Sequence, residues 1–126
     1  MLAYLDTQVV VWLASGYHQH ISIKARRAIN AAGLLLSPMV GLELQYLNEI
    51  GRLRIGATEI LDKLKREIDL RICDQPFASV TAASYNEAWT RDPFDRIIVA
   101  QAKANGLSQL ITADEKIHKH YVNAIW

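Results

Sequence analysis

Two aspartates, Asp6 and Asp114, each stand directly after a short apolar run of the sequence. In a parallel α/β sheet, ligands bind just beyond the carboxyl ends of the strands, where the following helices begin. Aspartate is also a favoured helix N-cap, and that role needs no ligand. Each residue therefore fits two interpretations, a helix cap or a carboxylate of a functional site at the edge of a sheet.

Glu43 interrupts an apolar helix face. It lies three residues after Val40 on a helix predicted from residue 38 to near residue 51, whereas Glu49 falls on the opposite side. A buried, unpaired carboxylate is costly or takes up a proton. Glu43 therefore needs a base, a set of hydrogen bonds or a metal ion, and the alternative is a buried salt bridge to an arginine such as Arg96.

A second acid, Asp95, lies on an apolar helix face, with Ile98 and Val99 three and four residues later. Asp92 precedes a proline and is the natural N-cap of the same helix. If only one of these two aspartates enters a functional site, the pattern favours Asp95.

Short apolar runs alternate with helical patterns along the chain, which predicts an α/β fold with a parallel sheet covered on both faces. The predicted strands cover residues 2–5, 34–36, 70–73 and 110–112, with an edge strand at the carboxyl end. The predicted helices cover residues 7–14, 21–32, 38–51, 57–68, 76–89 and 92–105, with a short one from residue 114. Neither a repeat nor a linker is visible, so we expect one domain.

Carboxylates from four separate segments would repel one another in one pocket unless cations were present. The four are Asp6, Glu43, Asp95 and Asp114. Oxygen ligands without a Cys or His cluster select hard ions, Mg²⁺ or Mn²⁺, over zinc. Such ions bind substrate phosphates, which suggests phosphodiester hydrolysis by a metal-activated water. Thr7 and Thr112 are placed to hydrogen-bond a ligand carboxylate, a bound water or the backbone.

The composition excludes several classes of protein. Of 126 residues, 51% are hydrophobic and 21% charged, which is incompatible with a disordered chain, and a net charge of +1 provides no overall basic field for nucleic acid. Cys73 is the single cysteine, so no internal disulfide forms, and a lone thiol suits the cytoplasm. The longest uncharged stretch contains too many polar residues to span a membrane.

The segments that carry these acids resemble a known family. In order, they are Leu5-Asp6-Thr7, Leu42-Glu43-Leu44, Arg91-Asp92-Pro93-Phe94-Asp95-Arg96 and Thr112-Ala113-Asp114. They resemble the PIN-domain nucleases, and most closely the VapC toxins of bacterial type II toxin-antitoxin systems. The resemblance covers residues 1–126 and implies a single PIN domain with a three-layer α/β/α fold and a central, mainly parallel sheet.

The resemblance also implies an activity and partners. It implies an endoribonuclease dependent on Mg²⁺ or Mn²⁺, frequent homodimers, and a VapB antitoxin whose carboxyl-terminal segment lies across the site and blocks it. By position, the family's four acids correspond to Asp6, Glu43, Asp95 and Asp114. The chain departs from many relatives at Gln8, where they have Asn, and the nearby Asp92 leaves the third acid ambiguous. The segment Asp95-Arg96-Ile97-Ile98 aligns with the Asp-led helix of the family, which favours Asp95. Arg96 beside the acids suits a phosphate-binding or organising role.

Two other functions compete with a nuclease. The first is a non-catalytic PIN-like domain that binds RNA or protein. The second is a phosphoryl-transfer receiver or phosphatase with Asp6 as nucleophile, which is disfavoured because no acidic pair marks the first strand and residue 8 is not Asp.

Surface contacts are less clearly encoded. The basic residues considered for RNA contact, none of which forms a dense patch, are Lys24, Arg26, Arg27, Arg52, Arg54 and Arg96. The apolar residues considered for partner contact are Trp12, Leu42, Tyr46 and Leu53. The four histidines have no neighbours that favour a metal or a nucleophilic role, so we expect them to be structural.

Overall fold

A five-stranded parallel sheet forms the centre of the fold in the computed structural model, which describes residues 1–126. Its strands are β1 (Leu2–Leu5), β2 (Gly33–Leu36), β3 (Arg71–Ile72), β4 (Gln109–Ile111) and β5 (Ala124–Ile125). Their order across the sheet is β3-β2-β1-β4-β5, and every neighbouring pair is parallel. The predicted sheet is confirmed, and it is wholly parallel.

Helices cover both faces of this sheet. They are α1 (Thr7–Ser15), α2 (Ile23–Ala31), α3 (Pro38–Glu49), α4 (Ala57–Ile68), α5 (Phe77–Ser84), α6 (Pro93–Ala104) and α7 (Glu115–His120), with a 3₁₀ turn at His18–His20. Right-handed crossovers place α1 to α4 on one face and α5 to α7 on the other. The predicted three-layer α/β/α architecture is confirmed. None of these helices has both the length and the apolar character needed to cross a membrane.

The central strand β1 is buried on both faces, which explains its unbroken apolar sequence. Ala3, Tyr4 and Leu5 are all but inaccessible to solvent and belong to the main hydrophobic core. Leu5 pairs with Ile111 of β4, and the amide of Asp6 donates to the Ile111 carbonyl at 3.0 Å. The residues that follow these two strands therefore emerge side by side at the carboxyl edge of the sheet.

The helix predicted over residues 76–89 ends at Ser84. Beyond it, the amide of Glu87 bonds the carbonyl three residues earlier, as in a tight turn, so the chain turns instead of continuing the helix. The turn lets the Glu87 carboxylate, only 4% exposed, form an ion pair of 2.6 Å with Lys103 of α6. Residues 85–92 therefore form a connection that leads to the start of α6.

The helix predicted over residues 21–32 begins two residues later, at Ile23. The Ser22 hydroxyl accepts from the amide of Ala25 and caps the helix.

Candidate active site

Asp6 lies at the carboxyl end of β1 and is buried, with 8% of its surface exposed. Its Oδ1 accepts from the amide of Thr7 at 2.8 Å, so it is the N-cap of α1. Its Oδ2 accepts from the Thr112 hydroxyl at 2.6 Å. Both interpretations of Asp6 therefore hold in its geometry, because one carboxylate caps a helix and also lies at the carboxyl edge of the sheet.

Thr112, directly after β4, connects Asp6 to the start of α7. Its hydroxyl donates to Asp6 and accepts from the amide of Asp114 at 3.0 Å. Asp114 in turn caps α7 by accepting from the amides of Lys116 and Ile117. The Nε2 atom of His118 lies 2.7 Å from the Thr112 carbonyl oxygen. Thr112 is therefore held on both its side chain and its backbone.

His118 has this contact although the sequence suggested only a general structural role. His118 follows Asp114 by four residues, and residues at that spacing lie on the same side of a helix. This spacing is the one signal in the sequence that places His118 near Asp114.

We expect Thr112→Val to lower the free energy of unfolding by about 1–3 kcal/mol, because it removes a donor from a buried carboxylate. Urea unfolding measures this loss. Thr58→Val is the matched control, since Thr58 is exposed on α4 and should change stability by less than about 0.5 kcal/mol. Equal losses in the two variants would contradict the contact described for Thr112.

Glu43 projects from α3 and is half-buried. It accepts a short hydrogen bond from the Thr7 hydroxyl at the start of α1. The ion pair with Arg96 considered from the sequence does not form, since the Arg96 Nε donates to the Thr90 carbonyl at 2.8 Å. Glu49, on the same helix, is exposed as predicted.

The two aspartates near the start of α6 differ in their surroundings. Asp92 is exposed, and its Oδ1 accepts from the amides of Phe94 and Asp95, so it is the helix N-cap. Asp95 lies one turn further on, half-buried, and forms no ion pair. Of the two, Asp95 has the carboxylate that is free of a capping role.

The acids lie close enough to influence one another. Burial, and after it the charges of Asp92, Asp6, Asp114 and Glu43 in that order of importance, together raise the pKa of Asp95 to about 7. Burial also raises the pKa values of Asp6 and Glu43, although the threonine hydroxyls that bond each carboxylate oppose the shift. The structure therefore brings all four sequence-predicted acids, and Asp92 with them, to one edge of the sheet.

This acidic cluster contains no compensating cation from the protein. The two ion pairs of the chain are those of Arg71 with Asp69 and of Lys103 with Glu87, which involve none of its members. No three His, Cys, Asp or Glu side chains stand in a coordinating arrangement. The donor set still suits a hard divalent ion, because it is all oxygen and no cationic side chain offsets the repulsion between its carboxylates.

A cavity of about 520 Å³ lies elsewhere. It is lined by the end of α1, by α4 and by the connection between α3 and α4, including Arg52, Arg54 and Tyr17, and contains none of the acids.

Among the apolar residues considered for partner contact, Leu42 and Tyr46 are 57% and 49% exposed, whereas Trp12 and Leu53 pack against the core.

The fold and the acidic cluster together define a class, that of three-layer α/β/α proteins with a carboxylate site at the carboxyl edge of a parallel sheet. The chain belongs to the PIN domain family, whose sequence pattern it matches over residues 3–123. The resemblance seen in the sequence is thereby confirmed. No curated protein matches the sequence.

Two solved structures are similar to this chain in fold. One is VapBC2 from Rickettsia felis bound to a DNA fragment from their promoter, with a TM-score of 0.67, 20% identity, and coverage of 98% of this chain and 96% of that chain. The other is VapBC-1 from nontypeable Haemophilus influenzae, with a TM-score of 0.62, 14% identity, and coverage of 94% of each chain. At these identities the comparison establishes the shared fold.

Proposed function

We propose that the protein is a metal-dependent endoribonuclease of the VapC type. The observation that carries this proposal is a cluster of five carboxylates at the carboxyl edge of the sheet with no protein cation among them. Burial and the charges of neighbouring acids raise the pKa values of three of them, Asp6, Glu43 and Asp95. PIN domains are generally nucleases, and this site has the composition that such chemistry requires.

Mg²⁺ or Mn²⁺ is the cofactor that we propose for the site. The residues that would hold it are Asp6, Glu43, Asp95 and Asp114. When bound, a divalent ion supplies positive charge for the phosphate and activates the attacking water. The chain's own part is orientation, since Thr112 fixes the Asp6 carboxylate and Thr7 fixes Glu43. Asp92 supports the site by starting the helix that carries Asp95.

A VapB-type antitoxin is the protein partner that we propose. The similar structures from Rickettsia felis and Haemophilus influenzae are of VapBC, which supports a partner of that type. Leu42 and Tyr46 on α3 offer exposed apolar surface beside the site, and the Tyr46 ring stacks on Phe94 of α6. A homodimer and a cytoplasmic location are further parts of the proposal.

Cleavage of single-stranded RNA by the purified protein with Mg²⁺ or Mn²⁺ tests the proposal. We expect cleavage that is abolished by EDTA and by Asp6→Asn. Calorimetry with Mn²⁺ distinguishes the nuclease from a non-catalytic binding domain. A domain that binds RNA or an antitoxin but takes up no metal would be a binding module and not a nuclease.

Glu43 and Glu49 provide a matched pair on one helix. We expect Glu43→Gln to lower the cleavage rate on the order of 100-fold, because the half-buried carboxylate faces the other acids. Glu49→Gln, on the solvent side of α3, should leave the rate within about twofold. Similar rates for the two variants would remove Glu43 from the site.

A further inference from the structure

Two stacked aromatic rings and one lysine lie on the segments that carry Asp92, Asp95 and Asp114. The Trp89 and His120 rings are nearly parallel, with centroids 4.8 Å apart and planes at 8°, and the Lys116 ammonium lies 5.9 Å from the Trp89 ring centroid. We call Trp89, Lys116 and His120 the Trp89 platform. Lys116 and His120 are exposed, whereas Trp89 is partly buried and packs against the core.

The Trp89 platform joins the two segments that carry three of the acids. Trp89 lies three residues before Asp92, in the connection that leads to α6, and Lys116 and His120 lie on α7, which Asp114 caps. The amide of Lys116 itself donates to the Asp114 carboxylate at 2.8 Å. The platform therefore lies on the same two segments as Asp92, Asp95 and Asp114.

The platform has the chemistry of a single-stranded nucleic-acid contact. The exposed His120 ring offers a stacking surface for bases of any sequence, and the Lys116 cation beside it attracts phosphates. Arg91 and Lys119 are also exposed in the same two segments and add positive charge next to an otherwise acidic site. A strand with phosphates at the acids needs such a compensating surface nearby, because carboxylates alone repel it.

We propose that the Trp89 platform binds the RNA strand beside the scissile phosphate, with a base stacked on His120 and a phosphate held by Lys116. This inference rests on the proposed function, since it names a substrate contact of the same site. His120 and Lys116 are binding residues here and take no part in the chemical step.

Binding of a fluorescently labelled single-stranded RNA, measured by anisotropy in EDTA, tests the platform without cleavage. We expect His120→Ala to weaken binding roughly tenfold and His120→Phe, which retains a ring, to bind nearly as the parent does. Lys116→Ala should reduce the slope of log affinity against log salt by about 0.7. Lys65→Ala, an exposed charge on α4 across the sheet, is the control and should change neither quantity.

The outcomes separate this inference from the proposed function. Parent-like binding by both His120→Ala and Lys116→Ala overturns the platform even if cleavage is found, and so does an equal loss in His120→Ala and His120→Phe, which would indicate a structural role. Loss of binding to a protein partner in these variants would not count as support for the platform. Weakened binding in a chain that never cleaves RNA supports the platform and refutes the nuclease.

Discussion

Asp95→Asn is expected to lower the RNA cleavage rate on the order of a thousandfold and, in the absence of metal, to stabilise the fold. The rate falls because a carboxylate that faces all the other acids loses its charge. Stability rises because the same charge is partly buried and is also repelled by the neighbouring acids. After allowance for solvent screening at this half-exposed group, we expect a gain of about 1 kcal/mol, or about 3 °C in Tm. Initial rates with Mn²⁺ and thermal unfolding in EDTA measure the two effects.

Asp92→Asn is the matched control three residues earlier. Asparagine is as good an N-cap as aspartate, so α6 should still begin correctly. Because the Asp92 carboxylate is exposed and already accepts two amides, we expect less than about a tenfold loss of rate. A larger loss at Asp92 than at Asp95 would assign the third acid to Asp92.

The metal-free protein is expected to be more stable at about pH 5.5 than at about pH 8. The pKa of Asp95 is about 7 in the folded chain, whereas the ordinary value, which applies to the unfolded chain, is 3.8. At a pH between these two values, the folded chain holds a proton that the unfolded chain has lost. Stability therefore decreases as pH rises through this window and levels off above it. Asp6 and Glu43, whose pKa values are also raised, act in the same direction.

Adding Mg²⁺ or Mn²⁺ at the higher pH should restore this stability, by about 2.7 kcal/mol at 100 times the dissociation constant. Thermal unfolding across pH, with KCl at equal ionic strength as the control for screening, checks both expectations. Asp95→Asn should flatten the profile. A metal-free protein whose stability increases steadily from acid to alkaline pH would show that the acids are not crowded in solution.

The sheet was predictable because its signals are local. Runs such as that of β1 are apolar throughout, as strands covered on both faces must be, and helix starts such as Ser37-Pro38 combine a capping side chain with a fixed proline φ. The turn after Ser84 was missed because a distant residue determines it. The buried pair of Glu87 with Lys103 stabilises a chain reversal that no pattern within residues 76–89 encodes.

The sequence indicated which acids come together in the candidate site better than it indicated the contacts they make. Glu43 and Asp95 were conspicuous as charges on apolar helix faces, and the structure brings both to the other acids. The hydrogen bond between Thr112 and Asp6, by contrast, depends on the register of β1 against β4, which the sequence does not reveal. The stack of Trp89 on His120 could not be predicted from the sequence either, because the two residues lie 31 positions apart. Their roles in catalysis and binding stay predictions.

Three of the clustered acids, Asp6, Asp92 and Asp114, are also helix N-caps. Asparagine can replace aspartate in that position with little loss, whereas alanine costs about 1 kcal/mol. One base change converts an aspartate codon to an asparagine codon, so a single mutation at Asp6 or Asp114 would remove a carboxylate of the proposed site while the helix keeps its cap. Under the proposed function, a lineage that loses the activity by such a change would still encode a folded chain.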